Sequence, residues 1–316
     1  MELEKVFFNT ENYEQIKPIG EGTLGTVYLV ENKSDKIQYA AKIFNIKPSV
    51  TGSDQFQVIQ TSSILHKLNH PSIIKFCGIN FHSFQDPTLL QPTFLMAYHQ
   101  SIGTLKSSMK EIQQWDSTDK YSLLARISSG MRYLHQKGVL HLSLSPHNIF
   151  IDEEKRPLIN DYGLWQCFPE AFTNSLKKSK KGEVEAVIHL APELLEENVR
   201  PTAGSDVYSF GILAYEVITG KDPFSAEGKS ITTDKLIEKV LSGERPPLDD
   251  SISDAMKELL TRCWSQNADE RPSFDEIFET LSSDFTHSEK TDDKDEVQKY
   301  IRKLHEKPVV SEQTEL

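Results

Sequence analysis

Gly20-Glu21-Gly22-Thr23-Leu24-Gly25-Thr26-Val27 lies near the start of the chain, and the residues on its C-terminal side decide the fold. A glycine turn of this spacing is a weak signal alone, since many such turns hold no ligand. Here Thr26-Val27-Tyr28-Leu29-Val30 is β-branched and aromatic, which predicts a strand where a dinucleotide-binding fold needs a helix. The segment therefore suits a hairpin whose backbone amides cover phosphates. A second strand is predicted over Ile37-Gln38-Tyr39-Ala40-Ala41-Lys42-Ile43-Phe44, reached through the turn signal Asn32-Lys33-Ser34-Asp35. It carries Lys42. A lone strand lysine is usually a solvated one, but next to this hairpin it becomes a candidate phosphate contact.

Outward from the hairpin, the pattern changes between Met96 and Gly103. Beyond Gly103, Tyr121-Ser122-Leu123-Leu124-Ala125-Arg126-Ile127 continues to Met131 and Leu134 at helical spacing. These patterns imply an α+β protein, with a small strand-rich lobe ahead of a larger helical one. The expected division is an N-terminal extension over 1–12, a domain over 13–281 with lobes at about 13–96 and 103–281, and a charged tail over 282–316. In that tail Val297, Tyr300, Ile301 and Leu304 fall at helical spacing and Asp295 precedes Lys299 by four, so a helix is expected there if its stripe is buried.

Further motifs recur at fixed intervals: His141-Leu142-Ser143-Leu144-Ser145-Pro146-His147-Asn148, Asp161-Tyr162-Gly163, Ala191-Pro192-Glu193, Ser205-Asp206-Val207-Tyr208-Ser209-Phe210-Gly211, and Cys263-Trp264 ahead of Asp269-Glu270-Arg271-Pro272. With the glycine hairpin and Lys42, this set resembles the tyrosine-kinase-like group of protein kinases over residues 13 to 281. The resemblance implies a bilobal protein-kinase fold that binds ATP and magnesium. By it, Gly20, Gly22, Gly25 and Lys42 would meet the phosphates, Val27, Ala40 and Phe150 would flank the adenine with Met96 behind them, and Asn148 and Asp161 would ligate the metal. Leu65, Phe76, His141 and Tyr162 would stack between the lobes on Asp206, and Glu193 would pair with Arg271 in the lower lobe.

The chemistry departs from that pattern. Ser143 stands where the family has its catalytic Asp, Leu142 where it has the arginine that reads a phosphate, Ser145 where it has the lysine on the transferring phosphate, and Ala186 where it has a threonine. Asp or Glu is absent from the sequence between Asp119 and Asp152, so no neighbouring carboxylate can slide into the role. Losing a general base costs ~10²- to 10⁴-fold in rate. Glu is also absent between Glu31 and Glu111, which leaves Thr61 where the family has the glutamate that holds the lysine. Asp54 lies too early and suits the first turn of its helix. Gln57 or Gln60 is the expected substitute, a weaker tie than an ion pair. A phosphate on Thr173, Ser175 or Ser179 would lack its usual receiver, and the lysines at 177, 178, 180 and 181 read as a solvated loop.

Composition narrows the alternatives. With 35 Lys and Arg against 47 Asp and Glu the net charge is −12, which argues against nucleic acid or an anionic membrane as partner. Three scattered cysteines, Cys77, Cys167 and Cys263, make neither a disulfide framework nor a zinc site. No run of ~18 apolar residues occurs. The expectation is a cytoplasmic, nucleotide-binding signalling or scaffold module, a pseudokinase, that engages protein partners. A weakly active Ser/Thr-directed kinase and an interaction module that binds no nucleotide are the alternatives.

Overall fold

The computed structural model describes residues 6–46, 52–84, 86, 88–99, 103–182, 184–196, 201–224 and 231–284. The stripe expected in the tail and the side chain of Asp54 lie outside them. Five antiparallel strands form the upper sheet: β1 (Tyr13–Gly22), β2 (Gly25–Asn32), β3 (Gln38–Phe44), β4 (Phe76–His82) and β5 (Leu90–Ala97), in the spatial order β1-β2-β3-β5-β4. The β2–β3 turn forms as its residues dictate. Asn32 Oδ1 accepts from the Ser34 amide, and Asp35 Oδ1 accepts from the Ile37 amide. Helix α1 (Gly52–His66) follows β3 and precedes β4 in the chain and packs against β4.

Residues ahead of β1 also belong to this lobe. Val6 is buried, the Phe8 amide donates to the Ile79 carbonyl, and Asn80 Nδ2 donates to the Phe8 carbonyl at 2.6 Å. This segment covers the outer edge of β4, an edge that would otherwise present unpaired backbone groups.

The lower lobe begins with β6 (Gly103–Thr104) and α2 (Leu105–Ile112), followed by α3 (Ser117–Gln136), which is capped by Asp116. The strands β7 (Ile149–Ile151) and β8 (Pro157–Ile159) join β6 in a small second sheet. Short helix α4 (Leu164–Cys167) leads into α5 (Pro169–Ser179), and α6 (Pro192–Leu195) precedes the central α7 (Ala203–Thr219). Helices α8 (Thr233–Leu241), α9 (Asp254–Cys263) and α10 (Phe274–Asp284) complete the lobe. Helix α7 is buried from Ser205 to Val217, as expected of a central helix apolar on nearly every face. No described helix is long and apolar enough to cross a membrane.

The lysine-bearing stretch differs from expectation. The residues before and among the lysines form α5, because Phe172 and Leu176, four apart, bury one face while Lys177 and Lys178 stay exposed on the other. Charge had masked a helical stripe.

Candidate functional site at the lobe junction

Lys42 enters the junction from β3, in register with Val27 on β2 and Phe94 on β5. Its side chain is only 6% exposed, so it needs a charged partner. That partner is Asp161, whose Oδ2 accepts from Lys42 Nζ at 2.5 Å. The expectation of a glutamine tie is therefore corrected. Gln57 donates instead to the Gln166 carbonyl at 2.9 Å, and a carboxylate outcompetes an amide for a buried ammonium. Thr61 is buried beside Ser62, and both lie against the thiol of Cys167 at the end of α4. The short helix after Asp161-Tyr162-Gly163 thus fills the space beside α1, and burial pushes the Cys167 thiol pKa up.

The three hairpin glycines are not equivalent. A Cβ on Gly25 would fall 2.1 Å from the Ile43 carbonyl oxygen, so the packing of β2 on β3 alone demands glycine there. At Gly20 and Gly22 a Cβ would meet only ordinary contacts, at 3.8 Å. Below the hairpin, Ala40, Met96 and Phe150 cluster with Ile74 and Leu158. Val27 lies on the neighbouring strand, one residue from Tyr28, and is half-buried. Ile74 and Leu158 were not singled out from sequence. Leu158 had a signal, since it sits at the centre of a three-residue apolar strand just ahead of the Asp161 turn.

The loop carrying His141 is held from beneath. Asp206, fully buried in α7, accepts from the His141 amide at 2.9 Å, the Leu142 amide at 2.6 Å and His135 Nε2 at 2.8 Å. Those bonds hold Leu142 in a left-handed conformation with φ 58°, which costs a non-glycine residue ~1–3 kcal/mol. Its side chain is 1% exposed. Where the family places a phosphate-reading arginine, this chain buries a leucine in the core. His141 is buried, and desolvation lowers its pKa despite the opposing charges of Asp206 and Asp161. Tyr162, Leu65 and Phe76 are all buried in the same core, and Tyr162 Oη donates to the Ile74 carbonyl at 2.6 Å.

Ser143 is part-buried and lies on this loop with its amide 3.4 Å from His141 Nδ1. Ser145 precedes the short 3-10 turn Pro146–Asn148. Asn148 Nδ2 donates to the Ser143 carbonyl at 2.8 Å, which leaves Asn148 Oδ1 as an acceptor. Asp161 likewise has Oδ1 beyond its bond to Lys42. Among the described residues, no group of three or more His, Cys, Asp or Glu has metal-site geometry. One carboxylate does approach the loop from far along the chain: Glu185 meets Lys106 Nζ at 2.8 Å and His147 Nε2 at 3.8 Å. Sequence reasoning searched the loop itself and missed it. Its pairing to Lys106, with the opposing pull of desolvation, holds its pKa below the usual carboxylate range.

The lower lobe has one more buried anchor. Arg271 grips Glu193 with two bonds, at 2.8 and 3.0 Å, and also donates to the carbonyls of Gly204 and Ser265. Desolvation works to raise the Glu193 pKa, and the Arg271 and Ser205 bonds outweigh it.

Residues 13–281 match the family described as protein tyrosine and serine/threonine kinase, and the chain belongs to that family. Its bilobal α+β architecture is the protein-kinase fold. Among curated proteins it is 25% identical to receptor-interacting serine/threonine-protein kinase 1 of Homo sapiens, over 88% of this chain and 42% of that protein. It is 30% identical to serine/threonine/tyrosine-protein kinase HT1 of Arabidopsis thaliana, over 69% and 52%. It is 27% identical to a putative insulin-like peptide receptor of Hydra vulgaris, over 87% and 18%. The chain thus spans between about a fifth and a half of these relatives' lengths.

Proposed function

We propose that this chain is a pseudokinase of the tyrosine-kinase-like group, a cytoplasmic signalling or scaffold module that binds ATP with magnesium, engages protein partners, and transfers phosphate weakly or not at all. The observation that carries this is a contrast at the lobe junction. Ser143 stands at the position of the base, while Asn148 and Asp161, the two residues suited to the metal, keep free acceptor oxygens on the same junction. A serine hydroxyl cannot take a proton near neutral pH. The functional unit is residues 13–281 together with the packed segment ahead of it.

The residues present fit magnesium and nucleotide. A hard cation wants carboxylate and amide oxygens, which Asp161 and Asn148 supply. Bound there, the ion would neutralise phosphate charge. Lys42 offers one further positive charge, Gly20 and Gly22 leave room for close backbone approach, and Ala40, Met96, Phe150, Leu158 and Val27 offer apolar walls for a base. The relatives named as kinases keep a second reading alive, a weakly active Ser/Thr kinase, because positioning and electrostatics accelerate transfer without a base.

Thermal unfolding with ATP, with and without magnesium, tests the binding. At ~100 times Kd the gain is ~2.7 kcal/mol. That is a rise of ~5–11 °C, at ~2–4 °C per kcal/mol. Asp161→Asn should remove the magnesium-dependent part. No shift at millimolar ATP, with magnesium or manganese, would leave the interaction module that binds no nucleotide.

A further inference from the structure

In the small lower-lobe sheet, β7 and β8 pair with Ile149 opposite Ile159 and Phe150 opposite Leu158. The ladder runs one step further, since the Asn160 amide donates to the Asn148 carbonyl at 2.9 Å. Asn160 therefore sits opposite Asn148, and the alternation of side chains along β8 fixes its face. Ile159 points into α3, where a Cβ on Gly130 would fall 2.7 Å from its Cδ1. Leu158 points the other way and joins Ala40, Met96 and Phe150 in the apolar wall. Two residues on, Asn160 shares the face of Leu158, between that wall and the metal candidates Asn148 and Asp161. The residue as a whole is half-buried, but its carboxamide Oδ1 is buried and has no hydrogen-bond partner among the described residues. A buried acceptor left without a donor is destabilising, and such exceptions in a folded chain call for a ligand, a water or an ion to explain them.

We propose that Asn160 is the residue by which this cleft chooses its base, the carboxamide accepting from the 6-amino group of adenine and donating to its N7. This rests on the proposed nucleotide binding and adds its base specificity. A carboxamide offers one acceptor and one donor side by side. Adenine presents the matching donor and acceptor along one edge, whereas guanine presents two acceptors there, N7 and O6. The contact also gives the buried oxygen the donor it lacks. With guanine that oxygen would face another acceptor, and a site built to hydrogen-bond a group rejects the analogue that lacks it, because its own polar atom is then stranded. The neighbouring side chains do not supply this choice. Ala40, Met96, Phe150 and Leu158 can pack on any flat ring, Lys42 is bonded to Asp161, and the Asn148 amide nitrogen is bonded to the Ser143 carbonyl.

Calorimetric titration of the full chain with magnesium and ATP, GTP or 7-deaza-ATP tests this. The parent should bind ATP about tenfold or more tighter than GTP, and about fivefold tighter than 7-deaza-ATP, which lacks the N7 acceptor. Asn160→Leu, close to asparagine in size, and Asn160→Ala should each bind the three nucleotides alike, about tenfold more weakly than the parent binds ATP. Without nucleotide, the melting temperature of Asn160→Leu should equal the parent's or exceed it, because the substitution removes an unpartnered polar group. Variants that keep the parent's preference for ATP would overturn the proposal and leave the nucleotide reading standing. So would a parent that binds ATP, GTP and 7-deaza-ATP equally, a result that needs no variant to fold. A lower melting temperature in both variants would give the carboxamide a structural partner and would also overturn it. No binding of any of the three by the parent would sink the nucleotide reading and this inference with it.

Discussion

The lower-lobe anchors and the upper-lobe clamp have fared differently in this chain. Asp206 and Arg271 are buried and Glu193 is partly so, and each has several partners at good distance. Around Lys42, among the described residues, the ion-pair partner is Asp161, which comes from the segment that the resemblance assigns to the metal. A kinase-family sequence can lose its charge-transfer groups one at a time, because each of them faces a cleft. It cannot lose the anchors, because removing one partner strands a buried charge. The same principle explains Leu142: with no arginine to solvate, the loop's own backbone amides stay on Asp206 and an apolar side chain fills the core.

The largest expected effect lies on the anchored side. Arg271→Ala leaves the partly buried Glu193 without its cation and removes the Arg271 donors to the Gly204 and Ser265 carbonyls. It should cost ~3–5 kcal/mol, read as a drop in urea midpoint at unchanged slope. A loss under ~1 kcal/mol would mean that the lower lobe is no more tightly anchored than the cleft.

The next effect is a dependence on pH at the hinge between the lobes. His70 is stacked on Tyr133 and lies 3.3 Å from Ser129 Oγ. Burial, helped by Arg132, lowers its pKa to about 4. The unfolded chain takes up this proton near pH ~6.5, and the folded chain does so only near 4. Stability from this site is therefore complete above ~6.5 and is lost as pH falls toward 4, by on the order of 2–3 kcal/mol. Unfolding of parent and His70→Asn between pH 4 and 7.5 checks this, and the variant's profile should be flatter. Parallel profiles would remove His70 from the account.

Smaller still is Tyr162, which stands where the family has phenylalanine. Tyr162→Phe deletes the bond to the Ile74 carbonyl and should lower stability by ~1 kcal/mol, or ~2–4 °C. No change in melting temperature would show that water replaces the hydroxyl without cost.

The paired strands β2 and β3 were legible because their turn residues and β-branched runs are local signals, and α3 because its apolar spacing is. The Glu193–Arg271 bond was legible only through resemblance, since 78 positions separate the two. Contacts made by substitution left the least trace. Thr61 reads as a missing glutamate, and nothing in the sequence says that Cys167 will pack against it or that Asp161 will take over Lys42. Phe168, Phe172 and Leu176 at four-residue spacing did signal α5, but the four lysines beside them drew attention to charge. Glu185 reaches the loop through tertiary folding alone.

On the proposed function, this cleft binds nucleotide and does not turn it over at a kinase's rate. The most direct measurement is transfer from radiolabelled ATP to a mixed protein substrate, and to the chain itself, at magnesium and ATP concentrations where a binding titration shows the site filled. Protein kinases run at ~1–100 s⁻¹, and loss of the base removes ~10²- to 10⁴-fold of that. Label at or below the edge of detection is expected. Ser143→Asp should not restore an ordinary rate, because Thr61, Leu142 and Ser145 remain. Robust transfer by the unmodified chain, abolished by Asp161→Asn, would contradict the account.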